Sequence, residues 1–279
     1  MQKQKIGIVG LGLMGGSLAI ALKEISDDFY FVGLDHNEAH CKEALSLGLV
    51  DEIVSTLDEL SSCDVIFLAV PVNSIIAIIQ SFPPLLDRCT VIDLGGTKER
   101  ISQAIPKEIR HHFVTAHPMT GTEKFGPSAA IANLYKEKVV VLCDIQESGT
   151  HQQKVAKELF SHMGMKLVYM DAKEHDRHAA FISHMPHTIS YALANSVMEQ
   201  EDKENILALA GGGFKDMSRI AKSSPNMWED IFKQNKHNVL EGIHAFQAEL
   251  KKCEKMIANE EWEALNQWMQ DANGLHHIL

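Results

Sequence analysis

His117 opens the stretch Pro118-Met119-Thr120-Gly121-Thr122-Glu123-Lys124-Phe125-Gly126-Pro127 and follows the apolar run Phe113-Val114-Thr115-Ala116. In open α/β sheets ligands bind in the crevice beyond the carboxyl ends of the strands, and an imidazole titrates near neutrality. His117 is therefore a candidate acid–base group, although a loop or core histidine is the plainer reading of this stretch alone. A second group, His175, His178, His184 and His187, has spacings that put pairs on one helical face. Imidazoles so spaced can ligate zinc, but no carboxylate or cysteine joins them at ligand spacing. Hydrogen bonding to an anionic substrate suits them better, and no metal site is assigned. A third group joins Gly211-Gly212-Gly213 to Arg219. Three glycines in a helical region cost about 1 kcal/mol each against alanine, so they imply close approach of the backbone to a ligand or a neighbouring helix. The planar fork of Arg219 can clamp a carboxylate through two hydrogen bonds, and a surface arginine is the alternative. Ser224-Pro225 reads as a capped helix start, with Trp228 in its first turn lining a site, a subunit seam or the core.

These groups need a scaffold, and the chain before them supplies one. Lys5–Val9 reads as a strand, Gly10-Leu11-Gly12-Leu13-Met14-Gly15-Gly16 as a turn and Ser17–Leu22 as a helix. Such a turn brings backbone and helix-end N–H groups up to a pyrophosphate. The next apolar run ends at Asp35, whose carboxylate can accept both ribose hydroxyls of NAD and repel the 2′-phosphate of NADP, or else cap the next helix. A strand at Val65–Val70 stops at Pro71, where a loop would lie beside the cofactor, and another at Thr90–Leu94 ends in Gly95-Gly96-Thr97-Lys98. Thr97 or Lys98 faces the nicotinamide there, or Thr97 caps a helix and Lys98 is solvated. Helical segments at 38–47, 74–80 and 151–162 alternate with these strands and with Lys138–Cys143 and Lys166–Met170, a βαβ rhythm that implies a Rossmann-type, doubly wound parallel sheet.

No strand pattern returns after Asp171, so the expected division is a nucleotide-binding domain over 1–171 and an all-α domain over 172–279. The segment 172–199 reads as helix with a kink at Pro186, 226–257 as one long helix, and 259–271 as another. The apolar stripe of the long helix calls for a partner helix, in its own domain or another subunit. Leu275–Leu279 reads as a tail without a role.

The formal charge of −11 argues against a general nucleic-acid or anionic-membrane binder, so an anionic ligand must meet a local positive site. Five scattered cysteines, an odd number without a CxxC pair, fit reduced thiols. The first residues run straight into a strand without a leader-like apolar segment, and a cytoplasmic protein is expected.

Together, Gly10-x-Gly12-x-x-Gly15-Gly16-Ser17, Asp93-x-Gly95-x-x-Lys98, His117-Pro-Met-Thr-Gly-Thr-Glu123, Ser183-His-Met-Pro-His187 and Gly211-Gly-Gly-Phe-x-Asp216-x-x-Arg219 through Trp228 resemble the prephenate/arogenate dehydrogenase family of tyrosine biosynthesis. The resemblance implies an NAD-binding Rossmann domain followed by a helical dimerisation domain. It implies oxidative decarboxylation of prephenate to 4-hydroxyphenylpyruvate by a homodimer. His117 matches the catalytic histidine at the ring hydroxyl, Arg219 the arginine at the ring carboxylate and His187 a substrate-binding histidine; His184, Thr122, Gly212 and Trp228 fall among the substrate contacts. Glu123 and Asp216 look like a polar pair that gates the site. Gly10, Gly12, Leu13, Met14, Gly15, Asp35, Val70, Pro71, Gly95, Gly96 and Thr97 fall on the cofactor side. The family often has serine where Gly96 stands, and Thr97 or water is the candidate replacement. Prephenate is favoured over arogenate because His187 and Arg219 offer positive or donor groups. The length leaves no room for a fused mutase or regulatory domain. The β-hydroxyacid dehydrogenases share the glycine turn and a helical second domain, but their lysine four residues after an asparagine would fall at Glu199, counted from Asn195. A non-catalytic NAD sensor would lack use for His117 and Arg219 together.

Overall fold

The computed structural model describes residues 3–278. Its sheet has eight strands, β1 (Gln4–Val9), β2 (Phe29–Leu34), β3 (Glu52–Ile53), β4 (Val65–Leu68), β5 (Thr90–Asp93), β6 (Phe113–Pro118), β7 (Val139–Cys143) and β8 (Lys166–Met170), in the order β3-β2-β1-β4-β5-β6-β7-β8. Helices α1 (Leu13–Ile25), α2 (Glu38–Ser46), α3 (Val72–Ile79), α4 (Glu99–Ala104) and α5 (Thr150–His162) alternate with the strands. The strands are apolar on both faces because both are covered. Ile6, Ile8, Phe67, Ile92 and Val114 pack under α1 and α5 through Leu18, Leu22 and Phe160. Ile66, Leu68, Val91 and Phe113 pack under α3 and α4 through Ile75, Ile79 and Ile101.

The sheet departs from the all-parallel expectation at one edge. β7 runs antiparallel to β6, with His117 opposite Val141, and β8 follows β7 in parallel. The cause lies in the connection. A parallel neighbour requires a crossover, usually a helix, whereas residues 119–138 hold only a 3₁₀ turn at Pro127–Ala129 and return along the same edge. The two-residue β3 was too short to leave an alternating pattern.

The helical half comprises α6 (Ala172–Ala179), α7 (Met185–Met198), α8 (Lys203–Ala208), α9 (Gly212–Ser218), α10 (Pro225–Gln234), α11 (Lys236–Ala258) and α12 (Trp262–Asn273). Residues 172–198 are continuously helical, and the irregularity expected at Pro186 takes the form of a π-helical turn at Ala180–His184, which joins α6 to α7 just before it. The single helix expected over 226–257 is two. It breaks at Asn235, whose φ of −106° and ψ of 28° leave the helical region and whose side-chain amide donates to Asp176 O at 2.6 Å. The expected tail begins with a 3₁₀ turn at Gly274–His277, and Leu279 lies outside the described residues. Among the described residues no helix is long and apolar enough to cross a membrane.

Candidate active site

β1 delivers the chain into a turn that only glycine permits. Gly10 has φ +94°, and a Cβ there would lie 2.4 Å from Ala69 O; one on Gly15 would lie 1.9 Å from Gly10 O. Gly12 differs, since its Cβ would meet nothing nearer than Gly126 N at 3.9 Å. Two glycines thus let strand, turn and helix touch, and the third leaves space beside α1, whose N-terminus has no side-chain cap. A phosphate fits such a cradle. In the first turn of α1 the Leu13 side chain enters the core and Met14 O accepts the Tyr135 hydroxyl at 2.8 Å.

Asp35, at the end of β2, is nearly buried. Its Oδ2 accepts Leu11 N–H at 2.8 Å and its Oδ1 accepts Asn37 N–H at 2.9 Å, with His36 and His40 within 3.6 Å. It does not cap α2; Asn37 does, by accepting Ala39 N–H. Asp35 therefore braces the glycine turn through Leu11. Val70 is half-buried, and Pro71 stands exposed at the start of α3.

The second glycine turn overturns the plainer reading, in which Thr97 caps α4 and Lys98 is solvated. Lys98 is wholly buried; its ammonium pairs with Asp93 and donates to Ala116 O at 2.7 Å. The carboxylate and the carbonyl that accept its N–H bonds offset the cost of burying it. Thr97 does not cap α4. It is buried and donates to Gln234 Oε1 at 3.0 Å, so its hydroxyl is not the stand-in for the family serine. Gly95 N–H donates to Asp93 Oδ2 at 3.0 Å. A Cβ on Gly96 would lie 3.9 Å from His117 Nε2.

His117 is the next-to-last residue of β6 before the loop, with its ring against His175. Its Nδ1 is 2.8 Å from His175 Nε2, and His175 Nδ1 is 2.8 Å from Asp176 Oδ1. Asp176 also accepts Lys98 N–H at 2.7 Å and Glu99 N–H at 3.0 Å, at the start of α4. A carboxylate only accepts, so His175 donates from Nδ1 and offers a bare Nε2. His117 must then donate from Nδ1, which leaves its Nε2 as a lone-pair acceptor beside the Gly96 turn. Burial, followed by the nearby His175, Lys98 and His184, holds His117 well below the usual imidazole range, so it stands neutral.

His184 is buried, and burial pulls its pKa down to about 4. Its Nδ1 receives Asn235 Nδ2–H at 3.1 Å, which makes Nε2–H a donor. His187 donates from Nδ1 to Ser183 O at 3.0 Å and stacks on Trp228 at 3.6 Å. Burial lowers its pKa as well, so the neutral ring presents an acceptor at Nε2. Trp228 is buried in the first turn of α10 against both imidazoles.

Arg219 is 58% exposed, and its guanidinium lies 3.6 Å from Glu123. Among the described residues Asp216 makes no ion pair, and Glu123 lies against Arg219. Thr122 is half-buried and its hydroxyl accepts Lys124 N–H at 3.2 Å. Cβ atoms added at Gly211, Gly212 or Gly213 would meet nothing within 4 Å. Among the described residues the close approach these glycines imply is not made.

Sequence reasoning missed Asp176 and singled out His175 only as one of a cluster. It also missed Asn235 and Gln234. The partners of His175 and Thr97 lie 58 and 137 positions away, and no local spacing marks them.

The family model described as "Prephenate dehydrogenase, nucleotide-binding domain" matches residues 18–169, and "Prephenate dehydrogenase, dimerization domain" matches 171–271. The chain is 29% identical to the prephenate dehydrogenase of Bacillus subtilis (strain 168) over 97% of its length and 74% of the relative's. It is 31% identical to the cyclohexadienyl dehydrogenase of Zymomonas mobilis over 93% and 90%. The crystal structure of prephenate dehydrogenase from A. aeolicus in complex with hydroxyphenyl propionate and NAD+ superposes with a TM-score of 0.91 at 31% identity, covering 99% of this chain and 98% of that one. Synechocystis arogenate dehydrogenase gives 0.78 at 27% identity, covering 98% and 99%.

Proposed function

Because the chain belongs to the prephenate dehydrogenase family, we infer that it catalyses the NAD-dependent oxidative decarboxylation of prephenate to 4-hydroxyphenylpyruvate, in the cytoplasm and as a homodimer. The observation that carries this reading is the bonded series Asp176–His175–His117, which leaves a neutral imidazole with a bare Nε2 facing the crevice. Residues 1–171 hold the dinucleotide and 172–279 complete the substrate pocket and the dimer. The open space at Gly12 and the uncapped start of α1 suit the pyrophosphate, Asp35 the ribose, and the Gly95–Thr97 turn the nicotinamide. When bound, NAD accepts a hydride.

His117 Nε2 accepts the hydrogen bond of the substrate's ring hydroxyl. As the carbinol carbon loses hydride the hydroxyl becomes acidic, and His117 takes its proton. The ring carboxylate departs as carbon dioxide, driven by aromatisation. Arg219 holds that carboxylate beforehand, for which it exchanges Glu123 for the substrate; Glu123 is thus the gate. His184 Nε2–H is a further donor toward substrate oxygens, and Trp228 with His187 walls the pocket.

Arogenate is the second reading, favoured by the similarity to the Synechocystis arogenate dehydrogenase. Purified protein should form NADH from prephenate with NAD and much less NADPH with NADP. Preference for arogenate would keep the chemistry and change the side-chain pocket, whereas NAD binding without turnover of either would refute the assignment.

A further inference from the structure

A ladder of side-chain hydrogen bonds crosses between the two halves of the molecule, and the reaction as derived makes no use of it. Thr97 Oγ1 donates to Gln234 Oε1 at 3.0 Å, Gln234 Nε2 donates to Asn73 Oδ1 at 2.8 Å, and Asn73 Nδ2 donates to Asp230 Oδ1 at 2.6 Å. Every orientation in it is forced. The Asp230 carboxylate only accepts, so Asn73 must donate with its nitrogen and accept with its oxygen, and Gln234 repeats that alternation toward Thr97. The buried end lies at Thr97, in the Gly95–Thr97 turn, and the exposed end at Asn73, in the first turn of α3 after β4. Both are at carboxyl ends of strands, on the cofactor side of the crevice. Gln234 and Asp230 belong to α10, which carries Trp228 under His187. α10 touches the same turn a second time, because a Cβ on Gly96 would lie 3.6 Å from Ile231 Cδ1. Asn235, the next residue, bonds Asp176 O and His184 Nδ1. One helix end is therefore tied to the cofactor turn, to α3 and to the substrate-side histidines.

We propose that Gln234 is a positioning residue that couples occupancy of the dinucleotide crevice to the order of the substrate pocket, so that NAD and the aromatic ligand each tighten the binding of the other. The inference rests on the function proposed above. The buried end of the ladder, Thr97–Gln234, is satisfied in one arrangement and strongly disfavours partial ones, so a cofactor that fixes the 95–97 turn also fixes Gln234 and, with it, α10 and Trp228. Because coupling of this kind is reciprocal, either ligand can be titrated.

The test measures the Kd of NAD+ calorimetrically, with and without saturating 4-hydroxyphenylpropionate, a non-reacting analogue of the product. Wild type should bind NAD+ about tenfold tighter in its presence, within the usual range of coupling between sites. Gln234→Ala and Thr97→Val should bring the ratio to about one, whereas Thr97→Ser, which keeps the hydroxyl, should retain it. Thr97→Val is close to isosteric and guards against a misfolded Gln234 variant. A merely structural role would lower Tm and leave the ratio alone. Turnover of prephenate by wild type with a ratio near one, or a ratio unchanged in both variants, overturns the inference and spares the functional reading. Absence of turnover in wild type fails that reading, and the inference with it, before any variant is made.

Discussion

At the scale of single residues, the chemistry is set by where lone pairs are left. Asp176 accepts two backbone N–H groups and one imidazole, and that demand passes through His175 to fix which nitrogen of His117 carries hydrogen. Only the neutral ring can accept the substrate's proton, and burial holds its pKa well below the ordinary histidine value. The acid limb of kcat should therefore fall below pH 6.5, with activity lost as pH descends through it. It is to be read where a substrate deuterium isotope effect shows that chemistry limits turnover; a limb at or above 6.5 counts against a buried neutral His117. His184 gives a matching prediction for stability. Above pH 6.5 it is neutral folded and unfolded, so it adds no pH dependence. Between that value and its folded pKa of about 4 the unfolded chain binds a proton that the native state refuses. Stability should fall by about 1.4 kcal/mol per pH unit on its account. Urea unfolding at pH 7 and pH 5 should show the loss, and His184→Gln should reduce the slope; an unaltered slope would mean that other groups carry it.

At the scale of elements, the glycine turn separates two uses of one residue type. Gly15→Ala forces a Cβ against Gly10 O and should both unfold the domain at lower temperature and abolish NAD binding. Gly12→Ala meets nothing within 3.9 Å, so Tm should stay within a few degrees of wild type while NAD affinity falls. Thermal melts with a parallel NAD titration decide it; equal losses of Tm in the two variants would show that Gly12 serves packing alone. This strand–turn–helix was legible in the sequence because its signals are local: an apolar run, glycines at fixed offsets and a helix-forming stretch. The βαβ rhythm was legible for the same reason. What stayed hidden depends on distant partners. The reversal of β7 follows from a connection that lacks a crossover helix, and the burial of Lys98 from Asp93 and Ala116 O. In the site, His117, His184, His187 and Arg219 could be picked out by type and motif. The bonds that decide which of their nitrogens donates could not, because Asn235 and Asp176 carry no motif of their own.

At the scale of the whole molecule, the helical half keeps an apolar surface that the chain does not cover. Leu250, Ile257, Trp262, Met269 and Leu275 are each about half exposed. They lie on the elements from α11 onward, within or next to the segment matched by the dimerization-domain family. A chain with a formal charge of −11 repels its own copies, so association must come from burying that surface. The same partner explains the open site. Arg219 and the three glycines at 211–213 face no covering element of their own chain, and a second copy would supply the close approach that those glycines allow. Introducing charge into this surface, as in Ile257→Asp with Met269→Asp, should convert the dimer to a monomer in light scattering. The monomer should retain NAD affinity within about threefold, because the residues assigned to the dinucleotide, from Gly10 to Thr97, all belong to the other half of the chain, and additive effects are the rule for distant sites. Its KM for prephenate should rise by tenfold or more, on the scale of about 1.4 kcal/mol or greater, as Arg219 loses its enclosure to water. A monomer with unchanged KM would place the whole substrate pocket within one chain, and the exposed Arg219–Glu123 pair would then have to close over the substrate by movement of the 119–126 loop.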